Sequence, residues 1–254
     1  MEKSSDARLY ERLKDLPRMG LAFSGGVDSA YLLYAALRSG CAVTPYFVKT
    51  AFQPEFELRD ARRLAQELGV ELKEIPFDIL GVERVRKNPE DRCYHCKRAL
   101  LSCVLEAAKE DGHAFVADGS NASDDVGDRP GMRALREMGV CSPLREAGLT
   151  KHEIRRLSKE AGLFTWDKPA YACLATRIPT GIEITSKNLS LTELAEDALA
   201  QMGFRDFRVR LYGNAARLQV SREQMPKLLA HRDEVCRALG DYEAVFLDLK
   251  ARNA

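Results

Sequence analysis

The stretch Ser24-Gly25-Gly26-Val27-Asp28-Ser29 separates the apolar residues Leu21-Ala22-Phe23 from an apolar run that extends from Ala30 to Leu37. This order predicts a buried strand, a glycine-rich turn and a helix. Such a turn lets the backbone approach a phosphate closely, and the N–H groups of the first helical turn attract the anion. Its two serine hydroxyls add donors, whereas Asp28 suits the metal ion that accompanies a nucleotide. The stretch therefore predicts a nucleotide-phosphate site more strongly than a simple helix cap.

The loop lacks the Gly-Lys-Ser/Thr ending of a Walker A motif. It resembles instead the PP-loop of ATP pyrophosphatases, which cleave ATP between the α and β phosphates. The resemblance implies ATP and Mg²⁺ as cofactors. It also implies adenylylation of a substrate oxygen, followed by displacement of AMP.

The bulk composition fits a globular protein of one large domain or two small ones. The chain has 254 residues, of which 45% are apolar and 30% charged, and its net charge is +1. This balance gives no strong electrostatic case for binding tRNA or a membrane surface. No apolar run approaches the ~18 residues of a membrane span, and the polar N-terminus does not resemble a signal peptide. We therefore expect a cytoplasmic protein whose seven cysteines are reduced, ligating or catalytic.

The first half of the chain alternates predicted strands with predicted helices, which favours an α/β fold with a Rossmann-like parallel sheet. We expect strands over 20–24, 41–48, 71–77 and 113–117, and helices after Asp28 and over 55–68, 96–109 and 150–161. Thr150 and Glu153 predict a capping box at the start of the last of these helices. Ligands of such sheets bind beyond the carboxyl ends of the strands, where the glycine loop and Asp118 both fall. We assign residues 1–184 to this ATP pyrophosphatase domain.

The last 70 residues follow a different pattern. Two predicted helices, 189–202 and 222–239, alternate with strands over 204–211, 215–220 and 242–249, and the second helix is expected to be interrupted near Pro226 or Arg232. This α-β-β-α-β order predicts an antiparallel strand pair. We assign residues 185–254 to a small α+β domain that binds substrate or mediates oligomerisation.

Three cysteines are candidates for chemistry. Cys93 and Cys96 form a lone Cys-x-x-Cys, which lacks the second pair of a structural zinc site. A thioredoxin-like pair, or two incidental cysteines at a helix start, remain open. Cys173 lies in the irregular segment 166–184. Three cysteines can bind three irons of a [4Fe–4S] cluster and leave the fourth iron open, but their spacing does not distinguish this from one reactive thiol with a spare pair.

Several motifs together resemble the LarE family, PP-loop sulfur transferases that make the nickel-pincer nucleotide. The likeness extends over nearly the whole chain and rests on the glycine loop together with residues 88–97, 118–125, 128–131, 142–144, 173–179 and 207–210. The family has two chemical styles. In one, a single cysteine gives up its own sulfur and becomes dehydroalanine. In the other, three cysteines hold a [4Fe–4S] cluster that carries a transferable sulfide, and the presence of Cys93 and Cys96 beside Cys173 favours this style.

The resemblance also implies a substrate site. It matches Arg208 and Arg210 to arginines that grip the substrate's phosphate, and Thr176 and Arg177 to residues that line the same pocket. Arg208 and Arg210 alternate on a predicted strand, so both side chains point to one face. A solvated strand face is the alternative interpretation.

A weaker implied feature is a metal site at a subunit junction. Glu196 and Asp248 resemble carboxylates that bind metal there in some relatives. The family pattern has a third carboxylate where this chain has Gln219, which puts that site in doubt.

These expectations combine into one reaction. We expect the glycine loop (Ser24, Gly25, Gly26, Val27, Asp28 and Ser29) and Asp118 to bind ATP, with Mg²⁺ held near Asp28. The substrate, by resemblance a pyridinium-3,5-dicarboxylate mononucleotide, is adenylylated on a carboxylate and converted to a thiocarboxylate by sulfur from the three cysteines or from Cys173 itself. The expected partner is this small molecule rather than nucleic acid or a membrane, and the chain is expected to form a homo-oligomer. The alternatives are a tRNA thiolase, an ammonia-dependent synthetase like those that make GMP or NAD, and a non-catalytic nucleotide-binding regulatory module.

Overall fold

The computed structural model describes residues 4–16, 18–124 and 130–252. Residues 125, 128 and 129 of the motifs quoted above lie outside the described residues. The strands are β1 (Arg18–Ala22), β2 (Ala42–Lys49), β3 (Lys73–Pro76), β4 (Val116–Asp118), β5 (Arg208–Tyr212), β6 (Ala215–Gln219) and β7 (Val245–Leu247). The helices are α1 (Ser5–Lys14), α2 (Val27–Arg38), α3 (Glu55–Glu67), α4 (Glu83–Arg86), α5 (Arg92–Glu110), α6 (Pro130–Glu137), α7 (Pro143–Glu146), α8 (Lys151–Glu160), α9 (Ser186–Gln201), α10 (Met225–Ala230) and α11 (Arg232–Ala238).

The chain forms two compact units. The first contains Met1–Thr50, Glu55–Phe77 and Asp91–Lys168, and the second contains Ala51–Pro54, Asp78–Glu90 and Pro169–Ala254. Residues 169–184, which the sequence analysis assigned to the first domain, therefore fold with the C-terminal strands. The physical reason is a set of side-chain contacts from β5 and α9 to this segment, described below.

The first unit is built on a parallel sheet with the strand order β3-β2-β1-β4. One apolar core lies around α1, α2, α3 and α8, and a second lies around α5 and α6. Helices therefore cover both faces, as expected for a parallel sheet whose strands are buried. The α/β fold predicted from the alternating pattern is confirmed.

The strand order places the glycine loop at a specific point of the sheet. The chain adds β2 and β3 on one side of β1, and β4 on the other, so the direction of winding reverses at β1. At the reversal Ala22 is in register with Asp118. Loops that leave two such strands diverge and open a crevice at the carboxyl edge, which is where ligands of doubly wound sheets bind.

The second unit contains a three-stranded sheet with the order β5-β6-β7. β5 and β6 form an antiparallel hairpin closed at Tyr212 and Ala215, and β7 pairs parallel to β6. α9 packs against β5, and α11 packs against α9. The predicted α-β-β-α-β order is confirmed, and the last helical segment is interrupted at His231.

Several element boundaries differ from the sequence-based expectation by a few residues, and two of these differences concern candidate site residues. α5 begins at Arg92 rather than Cys96, so Cys93 and Cys96 both lie in its first turns. β5 begins at Arg208 rather than at residue 204, because Asp206 adopts a left-handed φ of 45°, which no strand accommodates. None of the helices in the described part of the chain is long and apolar enough to cross a membrane.

Candidate active site

The glycine loop is a turn that its own serines hold together. Gly25 has φ of 70°, a left-handed conformation that glycine adopts without steric cost. The Ser24 hydroxyl lies 3.1 Å from the Ser29 hydroxyl and accepts from the Gly26 N–H at 3.4 Å. Gly26 is the N-cap of α2 and has no side chain to satisfy the N–H groups of the first turn. An anion is a suitable partner for such groups, and phosphate binding at this turn stays a prediction.

A second glycine, which the sequence analysis did not single out, fixes how closely the neighbouring loop approaches. A Cβ atom on Gly119 would lie 2.9 Å from the backbone nitrogen of Ser29 and 3.3 Å from the carbonyl carbon of Asp28. Both are main-chain atoms that cannot move aside cheaply. The loop after β4 therefore packs against the first turn of α2 only because residue 119 is glycine.

Asp28 is half-buried and bonded on one side only. Its Oδ2 accepts from Lys151 Nζ at 2.5 Å, whereas its Oδ1 is buried and has no hydrogen-bond partner among the described residues. Burial raises the pKa of the Asp28 carboxyl, and the neighbouring Lys151 opposes this shift. A buried carboxylate oxygen without a partner is suited to a hard cation, so this side chain fits the predicted Mg²⁺ ligand.

Two lysines that sequence reasoning missed approach the loop. Lys151 is the first residue of α8, directly after the Thr150–Glu153 capping box that the sequence predicts and the structure confirms. Lys168 Nζ pairs with Asp60 at 2.6 Å and lies 3.5 Å from the Gly25 carbonyl oxygen. A capping box locates a helix end in the sequence, but it does not reveal what that end faces.

Asp118 ends β4 and serves as an acceptor for three side chains. Its Oδ1 accepts from the Ser142 hydroxyl at 2.7 Å, and its Oδ2 accepts from the Ser120 hydroxyl at 2.6 Å and from Lys97 Nζ at 3.3 Å. Ser142 is in reach because Cys141 forms a parallel bridge to the strand. The carboxylate, which is 5% exposed, thereby organises the loops at the edge of the sheet.

Cys93 and Cys96 lie three residues apart on α5, a spacing that places both on one side of the helix. Cys93 is exposed and Cys96 is partly buried. Lys97 links this end of α5 to Asp118 at the carboxyl edge of the sheet. Within the first unit, the cysteine pair and the glycine loop thus belong to the same edge.

Cys173 belongs to the second unit and precedes the 3₁₀ turn Leu174–Arg177. The Leu174 N–H donates to the Phe52 carbonyl at 2.9 Å. The Cys173 carbonyl accepts from the Thr176 hydroxyl at 2.8 Å. The cysteine is partly buried on a segment that hydrogen bonds hold in place.

The three predicted substrate arginines lie close together in the second unit. Arg177 is 1% exposed, and its guanidinium makes a two-point pair with Glu196 at 2.7 and 3.0 Å. Arg208 is also buried, and burial together with the nearby Arg177 and Arg252 lowers its pKa to about 10. Burial and neighbouring arginines lower the pKa of Arg210 as well. The cluster holds more cations than its carboxylates neutralise, a condition that favours an anionic ligand.

The two predicted metal-binding carboxylates have protein partners. Glu196 accepts from Arg177, from the Tyr171 hydroxyl at 2.7 Å and from the Val209 N–H at 2.9 Å. Asp248 accepts from the side-chain amide of Gln219 at 2.8 Å.

Gln219 uses both ends of its amide. Its nitrogen donates to Asp248, and its oxygen accepts from Arg210 Nε at 2.6 Å. A carboxylate at this position could accept from Arg210 but could not donate to Asp248. Gln219, which replaces the carboxylate of the family pattern, thus links Arg210 to Asp248 through its side-chain amide.

No metal-binding group is assembled within the described ranges. Across residues 4–16, 18–124 and 130–252, no three His, Cys, Asp or Glu side chains form a group that could hold a metal ion. Cys93 and Cys96 offer two thiols from one helix face, and Cys173 belongs to the other compact unit. The three-cysteine cluster stays a prediction.

The chain is similar to two bacterial proteins over most of its length. It is 34% identical over 247 residues to the pyridinium-3,5-bisthiocarboxylic acid mononucleotide synthase of Lactiplantibacillus plantarum, with 96% of this chain and 90% of that protein covered. An uncharacterized protein of Synechocystis is 36% identical over 233 residues, covering 90% of this chain and 86% of that protein. No family model matches the chain.

A more distant similarity covers part of the chain. The tRNA-specific 2-thiouridylase MnmA of Thermotoga petrophila is 28% identical over 192 residues, which are 58% of this chain and 52% of that enzyme. The similarity to the Lactiplantibacillus synthase, in contrast, extends through nearly the whole of both proteins. The chain therefore belongs to the LarE family.

Proposed function

We propose that this protein is an ATP-dependent sulfur transferase that converts a carboxylate of a mononucleotide into a thiocarboxylate. The observation that carries the proposal is the 34% identity to the pyridinium-3,5-bisthiocarboxylic acid mononucleotide synthase over 96% of the chain. The glycine loop lies where the winding of the sheet reverses, and this position supports a nucleoside triphosphate as a substrate.

The first half-reaction is adenylylation. The N–H groups of the first turn of α2 bind phosphate oxygens, and Lys151 and Lys168 supply positive charge beside them. Asp28 would hold Mg²⁺ through its buried Oδ1, and the ion would supply further charge neutralisation at the phosphates. The substrate carboxylate attacks the α-phosphorus of ATP, an acyl-adenylate forms and pyrophosphate leaves.

The proposed acceptor is pyridinium-3,5-dicarboxylate mononucleotide. Its phosphate dianion matches the surplus of positive charge around Arg208 and Arg210. A guanidinium donates two parallel hydrogen bonds to a phosphate, which fixes the orientation of the ligand as well as its charge.

The second half-reaction transfers sulfur to the activated carbonyl, and AMP leaves. A [4Fe–4S] cluster held by Cys93, Cys96 and Cys173 would supply a transferable sulfide. In the alternative, the Cys173 thiolate attacks the carbonyl itself. Loss of a proton from its Cα then breaks the Cβ–Sγ bond, which releases the thiocarboxylate and leaves dehydroalanine.

We also propose that the chain forms a homo-oligomer. Tyr212 and Phe246 are 62% and 49% exposed, and their rings form an edge-to-face pair on one surface of the second unit. Exposed aromatic pairs are typical of protein interfaces. Sedimentation velocity of the wild type and of the Tyr212→Ser/Phe246→Ser double variant tests this, since the variant should sediment as a smaller species.

One assay tests the proposed activity. Anaerobically purified protein is incubated with Mg²⁺, ATP and the dicarboxylate mononucleotide, and pyrophosphate, AMP and thiocarboxylate are measured. The proposal expects pyrophosphate and AMP in equal amounts, with no turnover when unfractionated tRNA or ammonia is the acceptor. ATP binding without pyrophosphate release would identify the regulatory module instead. Iron and sulfide analysis, together with the mass of Cys173 after turnover, distinguishes the two sulfur sources.

A further inference from the structure

The segment that carries Cys173 has few bonds of regular secondary structure. Residues 168–173 lie outside helices and strands, and only the 3₁₀ turn Leu174–Arg177 follows. Main-chain carbonyls in such a segment must find hydrogen-bond donors elsewhere. Their partners therefore decide how firmly Cys173 is held.

Three arginines bind the carbonyls on both sides of Cys173. Arg208 Nη2 donates to the Ala170 carbonyl at 2.6 Å, Arg177 Nη1 donates to the Ala172 carbonyl at 2.9 Å, and Arg210 Nη1 donates to the Thr176 carbonyl at 2.5 Å. We call this set of contacts the arginine clasp. The same three side chains were expected from the family resemblance to face the substrate.

The Arg177 contact is the fixed part of the clasp. Its guanidinium donates two hydrogen bonds to the Glu196 carboxylate, which neutralises its charge. Burial alone would lower the pKa of Arg177, but the pairing with Glu196 outweighs burial and raises it. The ring of Tyr171 lies 4.6 Å from the same guanidinium, and its hydroxyl donates to Glu196. A phosphate would have to displace a two-point carboxylate to reach Arg177.

The Arg208 and Arg210 contacts are exchangeable. Arg210 bonds to two neutral oxygens, those of Gln219 and Thr176, and Arg208 bonds to the neutral carbonyls of Phe207 and Ala170. The carboxylate nearest Arg208 lies 3.8 Å away. A phosphate dianion offers a guanidinium both an opposite charge and two parallel hydrogen bonds, whereas a carbonyl offers a single neutral acceptor, so the phosphate outcompetes the carbonyl for either arginine.

We propose that the arginine clasp couples substrate binding to the position of Cys173. Arg177 is a positioning residue that keeps its hold on the Ala172 carbonyl, whereas the substrate phosphate takes Arg208 and Arg210 from the carbonyls of Ala170 and Thr176. The inference rests on the proposed function, since it takes the ligand to be a mononucleotide phosphate. The segment is then released on both sides of Cys173 but stays anchored beside it, so the cysteine gains freedom only once a substrate is bound.

The test measures the rate at which Cys173 is alkylated by iodoacetamide, a neutral reagent, with each cysteine followed by peptide mass spectrometry. The ligands are inorganic phosphate and nicotinic acid mononucleotide, and sodium chloride of equal ionic strength is the control. Cys236, which is exposed on α11, serves as the internal reference. We expect alkylation of Cys173 to accelerate about fivefold for each ordinary hydrogen bond that is lost, with no change at Cys236.

A second readout does not depend on the ionisation of the thiol. The Leu174 N–H, which donates to the Phe52 carbonyl, should exchange with deuterium faster when phosphate is present. Isothermal titration calorimetry under the same conditions reports whether the ligands bind.

Variants separate the two parts of the clasp. In the Arg210→Gln protein without ligand, Cys173 should be alkylated faster than in the wild type. Phosphate should accelerate this alkylation less than it does in the wild type. Tyr171→Phe keeps all three arginines and removes one bond to Glu196, so it should raise the basal rate while phosphate still accelerates alkylation. Arg232→Gln, at a side chain that is 73% exposed on α11, is the matched control and should behave as wild type.

The outcomes separate this inference from the proposed function. Suppose that the ligands bind, that the alkylation of Cys173 is unchanged or slower, and that deuterium exchange at the Leu174 N–H is unchanged. This result would overturn the arginine clasp and leave the proposed substrate site intact. Absence of binding by both ligands would overturn the substrate site and the clasp together.

Discussion

In the glycine loop, the role of a single residue such as Asp28 is set by the groups that surround it. Asp28 bonds to Lys151 through one oxygen, and its other oxygen is buried without a hydrogen-bond partner among the described residues. Asp28→Asn should abolish pyrophosphate release, because it removes the charge that a divalent ion requires. The protein should remain folded, since the amide fills the same volume.

The matched control for this change is Asp233→Asn, at a side chain that is 80% exposed on α11. It should release pyrophosphate at the wild-type rate. The assignment of Asp28 is wrong if the Asp28→Asn protein also adenylylates at that rate. Circular dichroism during heating verifies that both variants are folded.

Gly119 sets the distance between the loop after β4 and the start of α2. Gly119→Ala would place a methyl group 2.9 Å from the Ser29 nitrogen. We expect it to lower the free energy of unfolding by about 1–3 kcal/mol, the usual cost of overpacking, and to weaken ATP binding. Gly131→Ala is the control, because its methyl group would meet nothing closer than 3.6 Å and residue 131 lies in α6. Equal ATP affinity in the two variants would show that the close approach at Gly119 is irrelevant to the nucleotide.

At the scale of elements, the start of α8 delivers Lys151 to the loop. Thr150 accepts from the Glu153 N–H in the capping box, and Lys151 follows it directly. Thr150→Ala should cost about 1 kcal/mol of unfolding free energy, as caps usually do. It should also lower the rate of adenylylation, since fraying of the first turn displaces Lys151 from Asp28.

Thr185→Ala removes the comparable cap of α9, where the hydroxyl accepts from the Asn188 N–H. Denaturant titration should give a similar loss of stability for both cap variants. Only Thr150→Ala should slow pyrophosphate release. A parallel decrease in both variants would attribute the effect to global stability rather than to Lys151.

At the scale of the whole molecule, the cluster version of the proposed function assigns sulfur transfer to Cys93, Cys96 and Cys173 together. Cys93→Ser or Cys96→Ser should eliminate iron binding and thiocarboxylate formation, and should leave pyrophosphate release unchanged. Cys236→Ser, at an exposed cysteine, is the control and should retain all three properties. If Cys173→Ser alone stops sulfur transfer, and Cys173 loses one sulfur per turnover, the sacrificial mechanism is correct and the cysteine pair has another role.

Sequence patterns predicted the parts of this molecule whose causes are local. The glycine loop, the Thr150–Glu153 capping box and the break in the last helical segment all depend on residues within a few positions of one another. The pairing of Asp28 with Lys151 joins residues that are 123 positions apart, so no local period reveals it. Segment 169–184 has no regular period, and β5 binds it through the segment's own main-chain carbonyls, which every residue has. No local sequence pattern therefore indicates that this segment attaches to β5 and α9.

The strand order β3-β2-β1-β4 also constrains how the chain reaches its fold. β1 begins at Arg18, yet its partner on one side, β4, begins only at Val116, and Arg8 of α1 donates to a carbonyl 139 residues further along the chain. Closing loops of this length costs entropy before any contact compensates for it, so the first unit should fold slowly. On the ribosome, one edge of β1 must stay unpaired until residues 116–118 have emerged, and Arg8 must wait longer for the Ala147 carbonyl. The crevice between β1 and β4, where we propose that the nucleotide binds, is thus the last part of the sheet to form.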